Sequence, residues 1–293
     1  MTIWPLANSR SLSLGSPKVI GILNLTPDSF ADGGRYPTID AALAAADQMA
    51  ANGAAMLDIG GESTRPGSVR VSASHQLRRV ISVIQAIRAG AGPSATLPIS
   101  IDTTLAPVAS AALAAGADAI NDVSGGDDDP AILTIAAQSQ AGLILMYRPF
   151  APGADSYSDQ YKVKPTYEDI TTAVTDAFVH RLIPRALAAG VSPDRIIIDP
   201  GLGFGKTVQQ NLQLITSSGR IIAACNRPLM SALSRKSFVG RVSLQRDSTP
   251  DERLAGTLAL SVLHFLNGAT LFRVHDVRPH VEALNAVRRA SLP

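Results

Sequence analysis

Eight times along this chain, a short run rich in β-branched residues and leucine ends on a polar side chain. It then gives way to an alanine-rich segment whose apolar residues recur at helical spacing. Strand and helix in regular alternation predict a parallel sheet, because parallel neighbours need a helical crossover between them. The strand runs are 19–25, 55–59, 99–102, 119–122, 143–146, 196–199, 229–233 and 271–274. The clearest helical runs are 39–51, 72–89, 106–115, 167–189, 251–267 and 279–290, and Gly53, Gly116, Gly190 and Gly268 stand where a left-handed cap would end a helix.

No shift in composition separates the two halves, so the pattern predicts a single-domain (β/α)8 TIM barrel over 18–293, preceded by an extension, 1–17. An open doubly wound sheet is the alternative. The residues at the strand ends discriminate: Asn24, Asp58, Asp102, Asn121 with Asp122, Tyr147 with Arg148, Asp199, Arg235 with Lys236, and Arg273 with His275. A barrel gathers these ends in a ring on one face, whereas an open sheet spreads them along an edge. Capping of the next helix accounts for an Asp or Asn after a strand. It does not account for Arg235, Lys236, Arg273 or His275.

Composition narrows the function. With 293 residues, 46% apolar and 17% charged, the chain has the make-up of a folded globular protein. Cys225, the single cysteine, excludes an internal disulfide, and no Cys or His pairing has zinc-ligand spacing. A net charge of +2, dispersed along the chain, leaves no footprint for nucleic acid. No apolar run is long enough for a membrane span, and the start MTIWPLANSRSLSLGSPK lacks a leader's continuous apolar stretch. The expectation is a leaderless, soluble, cytoplasmic protein that acts on small molecules.

The ring divides by charge. Asp102, Asn121 and Asp199 end the third, fourth and sixth strands and bring two carboxylates and an amide to one pocket. That set matches the guanidine-like edge of a 2-amino-4-oxo pyrimidine through paired charge-assisted hydrogen bonds, or serves as a general acid and base, and the residues alone favour neither. Arg235, Lys236, Arg273 and His275 follow the last two strands, where barrels often bind phosphate, while Thr64 and Arg65 follow the second. Pyrophosphate suits these donors, with the oxygen of Asn24 completing a magnesium sphere. The segment GLGFGKT (Gly201 to Thr207) imitates a P-loop but has three residues between Gly201 and Gly205 where GxxxxGK[ST] needs four, which argues against an NTPase.

GILNLTPDSFADGG (Gly21 to Gly34), DIGGESTRPGS (Asp58 to Ser68), ISID, INDVSGG, DPGLGFGK, LSRKSFVG and FRVHDV, in this order and spacing, resemble the signatures of the dihydropteroate synthase family. Only the first 17 residues or so and the stretch from Tyr147 to about Pro165 fall outside the resemblance. The resemblance implies a transferase that joins a dihydropterin carrying a hydroxymethyl pyrophosphate to p-aminobenzoate, releasing pyrophosphate. It places Asp102, Asn121, Asp199 and Lys236 around the pterin, where Phe204 and the divergent Arg148 are also expected, and Asn24, Phe30, Thr64, Arg65, Arg273 and His275 around the pyrophosphate and p-aminobenzoate. Asp102, Lys236, Arg273 and His275 are then the catalytic set and Asn24 the ligand of a magnesium ion. The family implies a homodimer and a target for sulfonamides, which mimic p-aminobenzoate. Glycines at Gly33, Gly34 and Gly67 imply loops that close over a reactive cation and keep water away.

This chain departs from the family after the fifth strand, where Met146-Tyr147-Arg148 stands in place of Met-His-Met. Arg148 then replaces an apolar contact on the pterin, and its guanidinium is expected to stack on the ring. The following stretch to Tyr167 is longer than an ordinary βα loop and reads as a surface loop in preference to a lid. A methyltransferase on the same barrel, and a paralogue that only binds pterin or a partner protein, are the competing readings; the first has no use for a pyrophosphate clamp. Cys225 reads as a small buried residue, and His75, His180, His264 and His280 fall on helices away from the site.

Overall fold

The computed structural model describes residues 3–25 and 38–290, so Phe30, Gly33 and Gly34 lie outside the described residues. Two short strands, β1 (Ile3–Pro5) and β2 (Ser11–Ser13), form an antiparallel hairpin. Eight parallel strands follow: β3 (Lys18–Asn24), β4 (Met56–Gly60), β5 (Ile99–Asp102), β6 (Ala119–Asp122), β7 (Gly142–Met146), β8 (Ile196–Asp199), β9 (Met230–Ser231) and β10 (Leu271–Val274). Their order is β8-β7-β6-β5-β4-β3-β10-β9, and a parallel bridge between Ile198 and Leu229 joins the two ends into a barrel. The barrel expectation therefore holds, and the open sheet is excluded.

The helices lie outside the barrel because the strands carry apolar residues on both faces. Leu23, Leu57, Ile59, Ile101, Leu143, Leu145 and Ile198 pack outward against helical residues such as Val80, Val83, Ile84, Val108 and Leu214. The helices Ile39–Ala51 and Ile170–Ala177 start on side-chain caps from Thr38 and Asp169, and Val208–Thr216 starts on a reciprocal capping box between Thr207 and Gln210. Gly53, Gly116, Gly190 and Gly268 all have positive φ, as left-handed caps require.

Three expectations shift. The seventh strand shrinks from 229–233 to Met230–Ser231, since it pairs fully only with β10. The long helix expected at 167–189 begins at Ile170 and passes through a π turn, Phe178–Leu182, before Ile183–Ala188. Pro184 explains the turn: it has no N–H to give the carbonyl one turn back, and its ring pushes that carbonyl aside. The stretch after β7 is an ordered wall of the active-site cleft, where a surface loop was expected, as described below.

The N-terminal hairpin seals the barrel floor. Trp4, Leu6, Leu12 and Leu14 pack on the inward residues Ile20, Met56, Ile144, Ile197, Met230 and Leu271. The fully buried indole donates Nε1–H to Arg195 O at 2.8 Å. Trp4→Ala is expected to cost about 3–5 kcal/mol of stability, read from urea unfolding, because it opens a cavity under the strands and orphans that carbonyl. A loss below about 1 kcal/mol would show that the hairpin is not a floor.

Among the described residues no helix is long and apolar enough to cross a membrane.

Candidate active site

At the C-terminal end of the barrel the strand register sets Asn24, Gly60, Asp102 and Asn121 side by side in one row. Gly60 keeps the row close: a Cβ there would stand 3.6 Å from Asn24 Oδ1 but 3.3 Å from Asp102 Cβ, so Asp102 would have to give way slightly. Beneath Asn24 and Gly60, Ile22 pairs with Asp58 and Asp58 with Ser100.

Above this row opens a cleft of ≈ 630 Å³. It gathers Asn24, Thr64, Arg65, Asp102, Phe204, Lys236, Arg273 and His275, which come from six different strand ends. These are eight of the residues expected around one site. Asn121 and Asp199 are 1% and 2% exposed and lie deeper, in the barrel. Arg148 lines a smaller neighbouring cavity of ≈ 180 Å³ that shares Glu62, Ser63 and Thr64 with the cleft.

The floor of the site is an ionic cluster. Arg273 Nε donates to Asp58 Oδ2 at 2.5 Å, and its Nη2 donates to Asp102 Oδ2 at 2.6 Å. Asp58 also accepts from Ser100 Oγ at 2.6 Å and from Asn121 Nδ2 at 3.3 Å. With Nδ2 turned to the Asp58 carboxylate, Asn121 Oδ1 is left buried without a donor. Such an acceptor is costly unless a ligand supplies the missing hydrogen. One guanidinium facing two carboxylates does not neutralise both. Burial therefore raises Asp102 to about 7, against the pull of Arg273 and with the push of Asp58.

Asp58 is the residue that sequence reasoning left without a role. A carboxylate between Leu57 and Ile59 in a buried strand needs a cationic partner. That signal was present, but it did not reveal that the partner is Arg273, 215 positions away. Arg235, expected among the phosphate-binding cations, also lines the cleft, and like Arg273 it is held by carboxylates. Its guanidinium is bound in bidentate fashion to Asp276 at 2.8 and 2.6 Å and to Asp251 at 2.6 Å.

The turn from Gly201 to Gly205 forms the second wall. Gly201, Gly203 and Gly205 have φ of +69°, +83° and +60°, a left-handed sequence that side-chain-bearing residues rarely adopt. Lys206, the lysine of the P-loop imitation, points inward. It is fully buried, donates to Gly201 O at 2.9 Å and Phe204 O at 2.7 Å, and lies 4.9 Å over the Tyr147 ring. Burial lowers it to about 7. The turn is thus held by its own lysine, whose ammonium is engaged by carbonyls of the turn. Phe204 packs with Val123 and Met146 and receives the Lys236 ammonium 4.4 Å over its ring. Lys236 also donates to Leu202 O, and burial lowers it to about 8 while Asp199 resists that shift. Asp199 itself accepts from Gly201 N at 2.8 Å and is raised by burial.

The segment after β7 completes the wall. Tyr157, Asp159 and Gln160 line the cleft. Asp155 accepts from Tyr161 Oη and, at 2.9 Å, from Gly205 N, and Tyr167 Oη donates to Gly205 O at 2.9 Å. Arg241 Nε donates to Asp159 Oδ2 at 2.6 Å. Length alone suggested a surface loop; these long-range contacts, invisible in the sequence, make it part of the site.

His264, held between Ser218 Oγ at 2.8 Å and Ser231 Oγ at 2.9 Å, is pushed down to about 3 by burial and is a neutral structural residue. Cys225 is buried and raised to about 11. Neither lines the cleft.

A family model for pterin binding enzymes matches residues 20–275. Dihydropteroate synthase of Mycobacterium leprae is 40% identical over 279 residues, 94% of each chain. The structure of Xanthomonas albilineans dihydropteroate synthase with 4-aminobenzoic acid superposes with a TM-score of 0.85 at 38% identity, covering 99% of this chain and 100% of that one. The same enzyme in complex with 7,8-dihydropteroate gives 0.82 at 34% identity with the same coverage. Barrel, strand-end row and similarity along nearly the whole length agree, and the chain belongs to the pterin-binding enzymes, among the dihydropteroate synthases.

Proposed function

We propose that the chain condenses 6-hydroxymethyl-7,8-dihydropterin pyrophosphate with p-aminobenzoate, giving 7,8-dihydropteroate and pyrophosphate by a dissociative substitution at the pterin methylene. The observation that carries this reading is the buried row of Asp102 and Asn121, with the unpaired Asn121 Oδ1, beside a rim of cations. A pterin brings N–H donors for the row, and a diphosphate brings charge for the rim. Asp102, Asn121 and Asp199 hold the heterocycle from below, and Lys236 and Phe204 hold it from the side.

As the C–O bond breaks, positive charge grows on the methylene and negative charge on the departing diphosphate. Asp102 offsets the first; Arg273, His275 and Arg65 offset the second. The neutral amine of p-aminobenzoate, near Thr64, forms the C–N bond as the C–O bond breaks, and its proton passes to the departing diphosphate or to water. The groups are held in place before the reaction, so little reorganisation is needed when the charges separate.

Magnesium fits this donor set in one way. Among the described residues no group of three His, Cys, Asp or Glu side chains could hold a metal ion. Asn24 offers one hard, neutral oxygen next to Asp102, which suits an ion whose other ligands are water and diphosphate oxygens. Bound there, magnesium would supply charge neutralisation on the leaving group.

Purified protein given both substrates and magnesium should release pyrophosphate and form dihydropteroate in equal amounts. Tight pterin binding without turnover would replace this reading with that of a binding paralogue. Deuterium at the methylene should slow the reaction by a secondary isotope effect, and its absence would reject the dissociative step. The family's homodimer is part of the same reading, and sedimentation velocity tests it.

A further inference from the structure

We propose that Arg148 is a positioning residue for the Thr64–Arg65 loop, acting through Asp128 and Arg70, and not a contact on the pterin ring. Arg148 Nη2 donates to Asp128 Oδ2 at 2.7 Å. Arg70 Nη2 donates to the same oxygen at 2.9 Å and to Thr104 Oγ1 at 2.9 Å. One carboxylate oxygen thus fastens the loops after β4, β6 and β7 together, and Thr104 adds the loop after β5. A backbone hydrogen bond from Gly67 N to Pro152 O at 2.9 Å joins the β4 and β7 loops a second time.

The β4 loop transmits this restraint to the site. Glu62 accepts from Val71 N at 2.6 Å and from Gln76 Nε2 at 3.2 Å, so both ends of the loop are held. Between these ties lie Thr64 and Arg65, which line the cleft, and Arg70, which is on the latch. Arg148 and Thr64 are walls of the same small cavity. Displacing the guanidinium therefore frees the loop to move into that space.

Burial decides between the latch and the ring. The Arg148 side chain is 5% exposed and Asp128 14%, whereas Arg70 is 55% exposed. A buried guanidinium turned from its carboxylate onto a ring face leaves Asp128 with only an exposed, solvent-screened partner, and that is unfavourable. Tyr147, the other departure from the family, is engaged with Lys206 on the opposite side. The two departures thus tie the β7 loop to its neighbours on both sides.

The inference rests on the synthase reading, which wild-type turnover tests separately. The experiment compares Arg148→Met, Arg70→Met, the double variant and Arg148→Lys, reading the KM for p-aminobenzoate and the Kd of the pterin by calorimetry. Arg148→Met should raise the KM about tenfold and leave the pterin Kd within about twofold. Arg70→Met should raise the KM about threefold, and the double variant should be no worse than Arg148→Met, because both remove one latch. Arg148→Lys keeps a donor for Asp128 and should restore most of the loss. A raised pterin Kd with an unchanged KM, or additive effects, overturns the proposal. If Arg148→Met does not fold, Arg70→Met decides: an unchanged KM rejects the latch.

Discussion

Lys236→Ala should lower kcat/KM for the pterin substrate by about 10²- to 10³-fold, in steady-state assays of dihydropteroate formation, while the protein remains folded. The expected size follows from removing the ammonium that offsets Asp199 and supports Phe204, and corresponds to about 3–4 kcal/mol of transition-state stabilisation. The Lys236 ammonium feels the charge of Asp199, donates to Leu202 O and lies over Phe204. Its loss leaves Asp199 buried and the aromatic wall unsupported on the side proposed for the pterin. A change of less than about threefold would remove Lys236 from the site.

The same residue sets a pH limit. Burial lowers Lys236 to about 8, so the ammonium is present below that value and is lost as pH rises through it. Asp102 works in the opposite direction: burial raises it to about 7, so its carboxylate is lost as pH falls through that region. The kcat/KM profile should be a narrow bell whose limbs belong to the cluster as a whole. A profile flat from pH 6 to 9 would contradict this electrostatic picture.

Arg273→Ala should have the largest combined effect, costing about 3–5 kcal/mol of stability at neutral pH and nearly all turnover. The guanidinium is the shared partner of Asp58 and Asp102, both at most 5% exposed. Without it two buried carboxylates face each other, and Asp102 is pushed further above its ordinary value. The sign of the pH dependence follows. A carboxyl raised in the folded state binds more protons there than in the unfolded chain, so stability falls as pH rises between the unfolded and folded values. The variant should therefore be most stable near pH 4 and weaken towards pH 8 in urea titrations. A second substitution, Asp102→Asn, should recover stability at pH 8 without recovering activity. If Asp102→Asn made no difference in the Arg273→Ala background, the shared ion pair would not be what holds the floor together.

These expectations depend on partners that chain-local reasoning cannot supply. The eight strands were legible because hydrophobic periodicity is a local signal, and the glycine caps because a positive φ is a local demand. The ring of strand-end residues was legible because a barrel brings every strand's C-terminal end to one face. The shortened strand at Met230–Ser231 and the π turn before Pro184 were not, since each depends on how one element fits its neighbours.

The side-chain pairings were the least legible. Asp58 was visible as a polar strand end, but its engagement by Arg273 needed both ends of the chain brought together. Lys206 stood in a motif that reads as phosphate-binding, and burial turned its ammonium onto carbonyls of its own turn. Arg148 was placed on the pterin by analogy of position, whereas the carboxylate of Asp128 competes for the same guanidinium and is close enough to hold it.

By itself the sequence determined the barrel, the ring of polar strand ends and the family, all of which follow from local patterns repeated along the chain. Only the tertiary structure decided which charges meet. Coulomb attraction and desolvation depend on distance through space and on burial, and neither quantity exists until the strands have closed.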